Sequence, residues 1–220
     1  MKALHTLLLA ACLAPCAALA APAAPALDLA IRYYSRVVTD EGVTRESRYE
    51  ERMLRRPGHV WVERVLPAAP AAPDGGHQHF NPVRLARHVT LQGGQLKLEY
   101  VDRRGRERVA IPPAEYANVA FNGSWEGSYH LVPPQAVAAM PLAARASEVP
   151  GARWHEREQD GRFQRVLWDE ARQVALVIEL GNRAGTDFQR IEARPLQAAG
   201  ALPWSGLAGF SQKEYADFLD

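Results

Sequence analysis

Three histidines near residue 80 are the side chains whose spacing best suits metal binding. His77 and His79 are separated by one residue, and His88 follows further along the chain. Alternate side chains of an extended segment project to the same side, so both imidazoles could bind one ion, completed by His88 and Asp74. Imidazole and carboxylate groups are ligands for Zn²⁺ and Cu²⁺. One hypothesis is therefore a copper- or zinc-binding accessory protein, although such a pair in a Gly- and Pro-rich loop is also typical of a solvated segment.

A second group of reactive side chains comprises Ser124, Ser128 and His130. A serine beside a histidine can act as the nucleophile of a hydrolase. The segment has no G-x-S-x-G sequence, and no strand-turn-helix pattern surrounds either serine. We therefore rank a hydrolase third among the hypotheses and assign no catalytic residue.

Large apolar and aromatic residues recur along the predicted strands and could line a concave apolar surface. Ordinary core packing predicts the same pattern, so the sequence leaves open whether the surface is a cavity that binds a lipid or a filled core. The candidate ligand-contacting residues are Tyr33, Tyr49, Met53, Trp61, Tyr100, Trp168 and Phe188.

Strands arranged in meanders must position these side chains. The longest hairpin is predicted over 43–66, where Pro57-Gly58 fits a type II turn because Pro presets φ and Gly accepts a positive φ. The other strands are predicted over 31–38, 88–91, 96–101, 106–111, 153–159, 162–169, 174–180 and 188–194. Charged residues on one face of 44–52 predict that this side of the sheet contacts water.

Helical segments are predicted where the strand pattern stops. Pro112-Pro113 favours a short helix through Val119, because proline fits the first helical turn. Residues 121–150 are predicted to form an irregular cover that includes helical composition over 135–140. Near the C-terminus, Ser211 and Glu214 have the spacing of a capping box, which predicts a short terminal helix.

The N-terminal residues have the features of an export signal. Lys2 precedes an apolar run over 7–14, and Ala18-Leu19-Ala20 is a small-x-small pattern read by signal peptidase. Pro15 stands where a lipidated Cys16 would need a small residue, so we expect cleavage after Ala20 and a periplasmic location. The expected organisation is a signal peptide over 1–20, a flexible tether over 21–27 and one domain over 28–220, with no transmembrane segment in the mature chain.

Charge and cysteine content exclude several classes of function. The formal net charge is +1, and removal of Lys2 balances acids and bases, so no nucleic-acid partner is expected. The two cysteines, Cys12 and Cys16, both lie in the segment expected to be removed. The mature chain then has no thiol for a disulfide, a nucleophile or a Cys-ligated metal site.

The final meander resembles the lipoprotein-carrier superfamily of LolA, LolB and RseB. Its Val166-Leu167-Trp168-Asp169 strand is followed by an apolar strand over 174–180, the turn Asn182-Arg183-Ala184-Gly185 and a returning strand from Phe188. The hairpin over 34–49 is similar to the first hairpin of these families. The N-terminal helix usual in the carriers has little room before Ile31, the extra C-terminal domain of the regulators is not expected, and no arginine can be matched to the carriers' lid latch.

This resemblance implies a mainly β (α+β) fold, a strongly curved antiparallel half-barrel with short helices across its opening. It also implies binding and hand-over instead of catalysis. The expected ligand is an acyl chain or lipoprotein, or a periplasmic or inner-membrane protein partner, bound on the concave face without a cofactor. The expected mechanism is that closed helices shield the apolar face until a ligand displaces them.

Overall fold

The hairpin around Pro57-Gly58 forms part of one large open sheet. The structure is a computed structural model that describes residues 24–67 and 80–218. Gly58 has a φ of 73°, as the turn requires. The strands are β1 (Leu27–Val38), β2 (Thr44–Arg56), β3 (His59–Arg64), β4 (Ala86–Gln92), β5 (Gln95–Asp102), β6 (Glu107–Ile111), β7 (Ala152–Gln159), β8 (Arg162–Asp169), β9 (Val174–Asn182), β10 (Asp187–Pro195) and β11 (Ser211–Glu214).

The eleven strands form one curved, mixed sheet that is not closed, in the order β11-β6-β5-β4-β3-β2-β1-β10-β9-β8-β7. Strand β1 is central, because it pairs antiparallel with β2 on one side and with β10 on the other. Leu29 and Ile31 of this strand are 0% and 1% exposed. The predicted mainly β fold with a strongly curved sheet is confirmed, with 49% of the described residues in strands and 14% in helices.

Short helices occupy the connection between the two halves of the sheet. A 3-10 helix spans Pro113–Val119, α1 spans Trp125–His130 and α2 spans Pro134–Ala138. Ser124 caps α1, since its hydroxyl oxygen accepts a hydrogen bond from the Gly127 N–H at 2.9 Å. The 3-10 helix matches the short helix predicted through Val119, and α1 and α2 lie in the irregular cover predicted over 121–150.

The helix predicted from the capping box at Ser211 and Glu214 is wrong. These residues form β11, which pairs parallel with residues 107–110 of β6, and a 3-10 helix over Tyr215–Phe218 follows. The Glu214 N–H donates to the Asp217 carboxylate at 3.0 Å, so the local capping geometry is not formed. Backbone pairing with a strand distant in sequence therefore outweighs the local helix signal.

Side-chain alternation places different apolar residues on the two faces of β1–β6. Met53 and Leu54 are neighbours in β2, and their cross-strand partners are Val62 and Trp61. We call the side with Met53 and Val62 the lid face and the side with Leu54 and Trp61 the outer face. Residues 199–210 cover the outer face, where Leu207 packs with Leu54 and Trp61 and where Trp204 joins their cluster.

The segment over 199–210 is held by a buried carboxylate. Asp28 is 2% exposed; its Oδ2 accepts a hydrogen bond from the Ala199 N–H at 2.6 Å, and its Oδ1 lies 2.5 Å from Arg56 Nη1. None of the helices in the described part of the chain combines the length and apolar character needed to cross a bilayer.

Candidate functional site

The lid face carries a continuous apolar surface that the helical connection covers. Cross-strand register aligns Leu29, Met53 and Val62 in one row and Val60, Val89, Leu98 and Ile111 in the next. All of these side chains are at most 7% exposed. Val119, Phe121 and Tyr129 of the helical connection belong to the same apolar cluster. The surface is therefore covered by the chain itself, and a ligand would have to displace part of this cover.

We refer to residues 113–131 as the lid. Its helix α1 lies between two residues with positive φ that are not glycine, Ala120 at 53° and Leu131 at 67°. Such conformations cost roughly 1–2 kcal/mol for residues with a Cβ. The packing and hydrogen bonds of the lid therefore offset the backbone strain at Ala120 and Leu131.

Arg55 is the side chain that joins the lid to the sheet. It lies at the end of β2 and is 0% exposed. Its guanidinium donates only to backbone carbonyl oxygens within the described residues: Pro25 from Nε at 3.2 Å and Nη2 at 3.0 Å, Tyr129 from Nη1 at 3.0 Å, Gln173 from Nη1 at 3.0 Å, and Arg172 from Nη2 at 2.6 Å. One side chain thus connects the first described residues, α1 and the β8–β9 turn.

Burial determines the electrostatics of this contact. Desolvation lowers the pKa of Arg55 from its ordinary value, and the nearby Tyr129 phenol offsets part of that effect. The Arg55 Cζ atom also lies 4.7 Å from the centre of the Tyr129 ring, in a cation–π arrangement. Carbonyl dipoles and a ring face therefore stabilise the buried cation, with no carboxylate within 4.0 Å among the described residues.

His130, which follows Tyr129, adds a second contact between the same elements. Its Nδ1 lies 2.6 Å from the Gln173 carbonyl oxygen, and its Nε2 lies 3.2 Å from the Glu126 carboxylate. Ser124 and Ser128 hydrogen-bond within α1 and not with His130. The described geometry therefore forms no serine–histidine pair at this place.

The predicted ligand-contacting residues fall into separate environments. Met53 and Tyr100 belong to the covered apolar cluster, and Tyr33 packs against it. Tyr33 and Tyr49 are cross-strand partners whose rings stack with centroids 4.4 Å apart. These four residues lie together on the lid face.

The remaining three aromatic residues are not part of that surface. Trp61 is 0% exposed on the outer face. Trp168 belongs to another apolar cluster with Val137 of α2 and borders a cleft of about 390 Å³. Phe188 lies near Tyr34 and Phe163, at centroid distances of 6.2 and 6.5 Å. Strand parity places Trp61 away from Met53, and tertiary packing of α2 separates Trp168.

The histidines of the metal hypothesis are only partly within the described structure. His77 and His79 lie outside the described residues, so the hypothesis stays a prediction. His88 is 5% exposed on the outer face, and its Nε2 lies 3.1 Å from His59 Nδ1. No cluster of three or more His, Cys, Asp or Glu suited to a metal occurs within residues 24–67 and 80–218.

The outer-face histidines are packed beneath Trp204. Its ring stacks on His59 at 5.1 Å and on His88 at 5.6 Å. Desolvation, followed by the charges of His59 and Arg108, lowers the pKa of His88 to about 4. Burial likewise lowers the pKa of His59. Both rings are therefore held neutral near pH 7 and form part of the packing of this face.

Sequence reasoning missed Arg55 as a functional residue. Arg55 shares strand parity with the buried Met53. That parity is the signal that could have placed it on the lid face. Its carbonyl partners could not be found in this way, because they come from segments 30, 74, 117 and 118 positions away.

No family model matches the sequence, and no curated protein matches it. Similar solved structures include a LolA superfamily protein from Nitrosomonas europaea, with 10% identity, coverage of 82% of this chain and 88% of that chain, and a TM-score of 0.36. A DUF1329 family protein from Desulfovibrio piger has 8% identity, covering 84% and 90% of the two chains, with a TM-score of 0.36.

PNGF-II is another similar structure, with 7% identity and a TM-score of 0.42 over 87% of this chain; the match spans 32% of the PNGF-II chain. The superfamily that the final meander resembles is represented among these similar structures.

Proposed function

We propose that the protein is a non-enzymatic carrier or sensor that binds an acyl chain, free or attached to a lipoprotein, on the lid face. The observation that carries the proposal is the Arg55 contact, in which a fully buried guanidinium donates to the Tyr129 carbonyl of the lid. A protein whose lid-face cluster served only as a permanent core would gain more from an apolar residue than from a buried cation. A cation bound to carbonyls suits a contact that opens and closes.

Opening of the lid exchanges hydrogen bonds within the protein for hydrogen bonds to water. When the lid lifts, water can solvate the guanidinium and the released carbonyls, so the hydrogen bonds are exchanged instead of lost. Val60, Val89 and Leu98, which the open lid would expose, would then contact an acyl chain in place of Val119, Phe121 and Tyr129. Relief of the positive φ values at Ala120 and Leu131 favours the open state.

The closed lid makes ligand affinity depend on the stability of the Arg55 contact. If only a fraction of the molecules is open, the apparent dissociation constant equals the intrinsic one divided by that fraction. A weaker lid contact therefore raises the apparent affinity. A rigid core surface would instead bind less when its packing is weakened.

The export signal inferred over 1–20 supports a periplasmic setting, where acyl chains crossing an aqueous space need a carrier. That segment lies outside the described residues, and the division into a tether over 21–27 and one domain over 28–220 also remains a proposal. A protein that occupies the lid face in place of an acyl chain is the other outcome that binding experiments would reveal.

Fluorescence titration with cis-parinaric acid tests the proposal, since its emission rises in apolar surroundings. We expect saturable binding to the wild-type protein and, for Arg55→Lys, an apparent affinity about fivefold higher or more. Arg52→Lys is the control, because Arg52 is an exposed residue of the same strand. Absence of binding to all three proteins would overturn the proposal, as would weaker binding to Arg55→Lys than to the control.

A further inference from the structure

The lid face changes from apolar to polar along the strands away from Arg55. Register pairs Val62 with Arg87 and Arg87 with Tyr100, in the row that also contains Met53. The next row pairs Glu51 with Arg64. The following row pairs Tyr33 with Tyr49. An apolar surface therefore ends in a group of charged and phenolic side chains, which we call the polar end: Tyr33, Tyr49, Glu51, Arg64, Arg87 and Tyr100.

Aromatic contacts fix the geometry of the polar end. The Tyr33 and Tyr49 rings are nearly parallel, with an interplanar angle of 13°. The Arg64 Cζ atom lies 3.7 Å from the Tyr49 ring centroid, so its guanidinium lies against the ring. This arrangement limits the rotamers of Arg64, and its guanidinium makes no side-chain hydrogen bond to another residue of the described ranges.

The charges of the polar end leave an excess of cation. Arg64 and Arg87 face one carboxylate, Glu51, and among the described residues neither arginine has a carboxylate oxygen within 4.0 Å. The Arg87 Nε atom is buried without a hydrogen-bond partner in that part of the chain. A half-buried guanidinium in this state is stabilised by any anion that enters the same surface.

The phenols add hydrogen-bond donors that stay protonated. Burial, followed by the charge of Glu51, raises the pKa of Tyr33 far above its ordinary value. Burial likewise raises the pKa of Tyr49 and of Tyr100, while the charge of Arg87 acts in the opposite direction. At neutral pH these groups are therefore neutral hydroxyl donors beside two cations.

We propose that the polar end binds the anionic head group of an amphipathic ligand whose acyl chain lies on the adjoining apolar rows. The ligand class is a long-chain anion, either a fatty carboxylate or a lipid phosphate ester. Planar guanidinium groups donate paired hydrogen bonds to both kinds of oxyanion. Glu51, the cross-strand partner of Arg64, offsets one of the two positive charges. This inference rests on the proposed function, because it assigns the other end of the same ligand.

The test compares four probes by calorimetry below their micellar concentrations: decanoate, decyl phosphate, decanol and inorganic phosphate. The test variant is Arg64→Gln/Arg87→Gln. The matched control is Arg52→Gln/Arg194→Gln, which removes two exposed arginines that flank Ala30 on the other side of the sheet. Because Arg87 is half-buried, Arg64→Gln alone is measured as well, in case the double variant does not fold.

We expect at least one decyl anion to bind the wild type and the control at least tenfold more tightly than decanol. In the double variant the affinity for the anion should exceed that for decanol by less than about threefold, with the decanol affinity unchanged. Arg64→Gln alone should reduce the preference for the anion partly. Comparison of decanoate with decyl phosphate shows which oxyanion is preferred. An advantage that survives in the folded variants would overturn the head-group assignment, as would inorganic phosphate that binds as tightly as decyl phosphate.

The failure of the proposed function gives a different result. If decanol binds and neither anion has an advantage, the apolar surface binds chains and only the polar-end assignment is wrong. If none of the decyl compounds binds the wild type, acyl-chain binding fails and the head-group assignment fails with it.

Discussion

Arg55 Nη1 donates to the Tyr129 carbonyl oxygen at 3.0 Å while the same guanidinium lies 4.7 Å from the centre of the Tyr129 ring. Strand β2 and helix α1 are thus joined at one residue by both a hydrogen bond and a cation–π contact. Because the guanidinium also donates to Arg172 and Gln173, moving α1 leaves Arg55 anchored to the β8–β9 turn. The sheet end can therefore remain formed while the lid moves.

Replacing Arg55 by lysine should loosen the lid. An ammonium group has three donors on one atom and cannot reach carbonyls on three sides, so several would lose their partner. We expect the free energy of unfolding to fall by about 2 kcal/mol, measured by urea denaturation. The exposed control Arg52→Lys should change it by less than about 0.5 kcal/mol. Equal stability of the two variants would show that the Arg55 contacts contribute little.

The histidine pair on the outer face should make stability depend on pH. In the unfolded chain His88 takes up a proton near pH 6.5, whereas in the folded protein its pKa is about 4. Between these values the unfolded state binds more protons, so stability falls as the pH is lowered through this window. The loss from His88 should approach about 3 kcal/mol by pH 4, measured by urea denaturation at a series of pH values.

The variant His88→Gln isolates this contribution. Glutamine cannot titrate, so the free energy of unfolding should depend less steeply on pH between pH 6.5 and pH 4. The lowered pKa of His59 and of His130 leaves a residual dependence. Glu99, 3.9 Å from His88 Nδ1, and Arg108 also face this position and are retained in the variant. An unchanged slope would mean that another group governs the acid response.

Gly181 should be sensitive to the addition of a single methyl group. A Cβ built there would lie 2.7 Å from Phe163 Cζ and 2.9 Å from the Asp187 carbonyl oxygen, closer than atoms pack. We expect Gly181→Ala to lower the free energy of unfolding by about 1–3 kcal/mol. Gly200→Ala is the control, because nothing lies within 4 Å of its added Cβ. A chemical-denaturation series in which both variants match the wild type would contradict this packing.

Trp204 should contribute to stability without affecting the affinity for the ligand. It stacks on His59 and His88 and packs with the outer-face cluster around Trp61, on the opposite side of the sheet from Met53. Trp204→Ala should destabilise the protein by about 2 kcal/mol, because the residue is only half-buried. The affinity for cis-parinaric acid should remain within twofold of wild type. A large loss of affinity in the folded variant would place the ligand on the outer face.

Local signals predict most of the sheet. Turn chemistry at Pro57-Gly58, together with period-two alternation, locates most of the strands to within a few residues. The pairing of β1 with β10 joins the strands before the lid to those after it through contacts distant in sequence. The resemblance to the carriers implied such a sheet, whereas local signals alone do not specify that pairing.

Three features were harder to predict, each for a physical reason. Arg55 acts through backbone carbonyls, which every residue possesses and which leave no trace in the sequence. Ser211 and Glu214 satisfy a helix-capping pattern, yet pairing with β6 satisfies their backbone groups better. Residue type alone selects the aromatic residues as ligand-contacting and so groups Trp61 with Met53, although its parity places it on the other face.

Hydrogen exchange of residues 125–130 with and without saturating decanoate tests most directly whether a ligand displaces the lid. The account predicts that amides of α1 exchange faster in the complex, because the acyl chain replaces Tyr129 on the lid face, while the paired amides of β1 and β2 remain protected. Unchanged or slower exchange of α1 at full occupancy would show that the chain binds without moving the lid and would contradict the account.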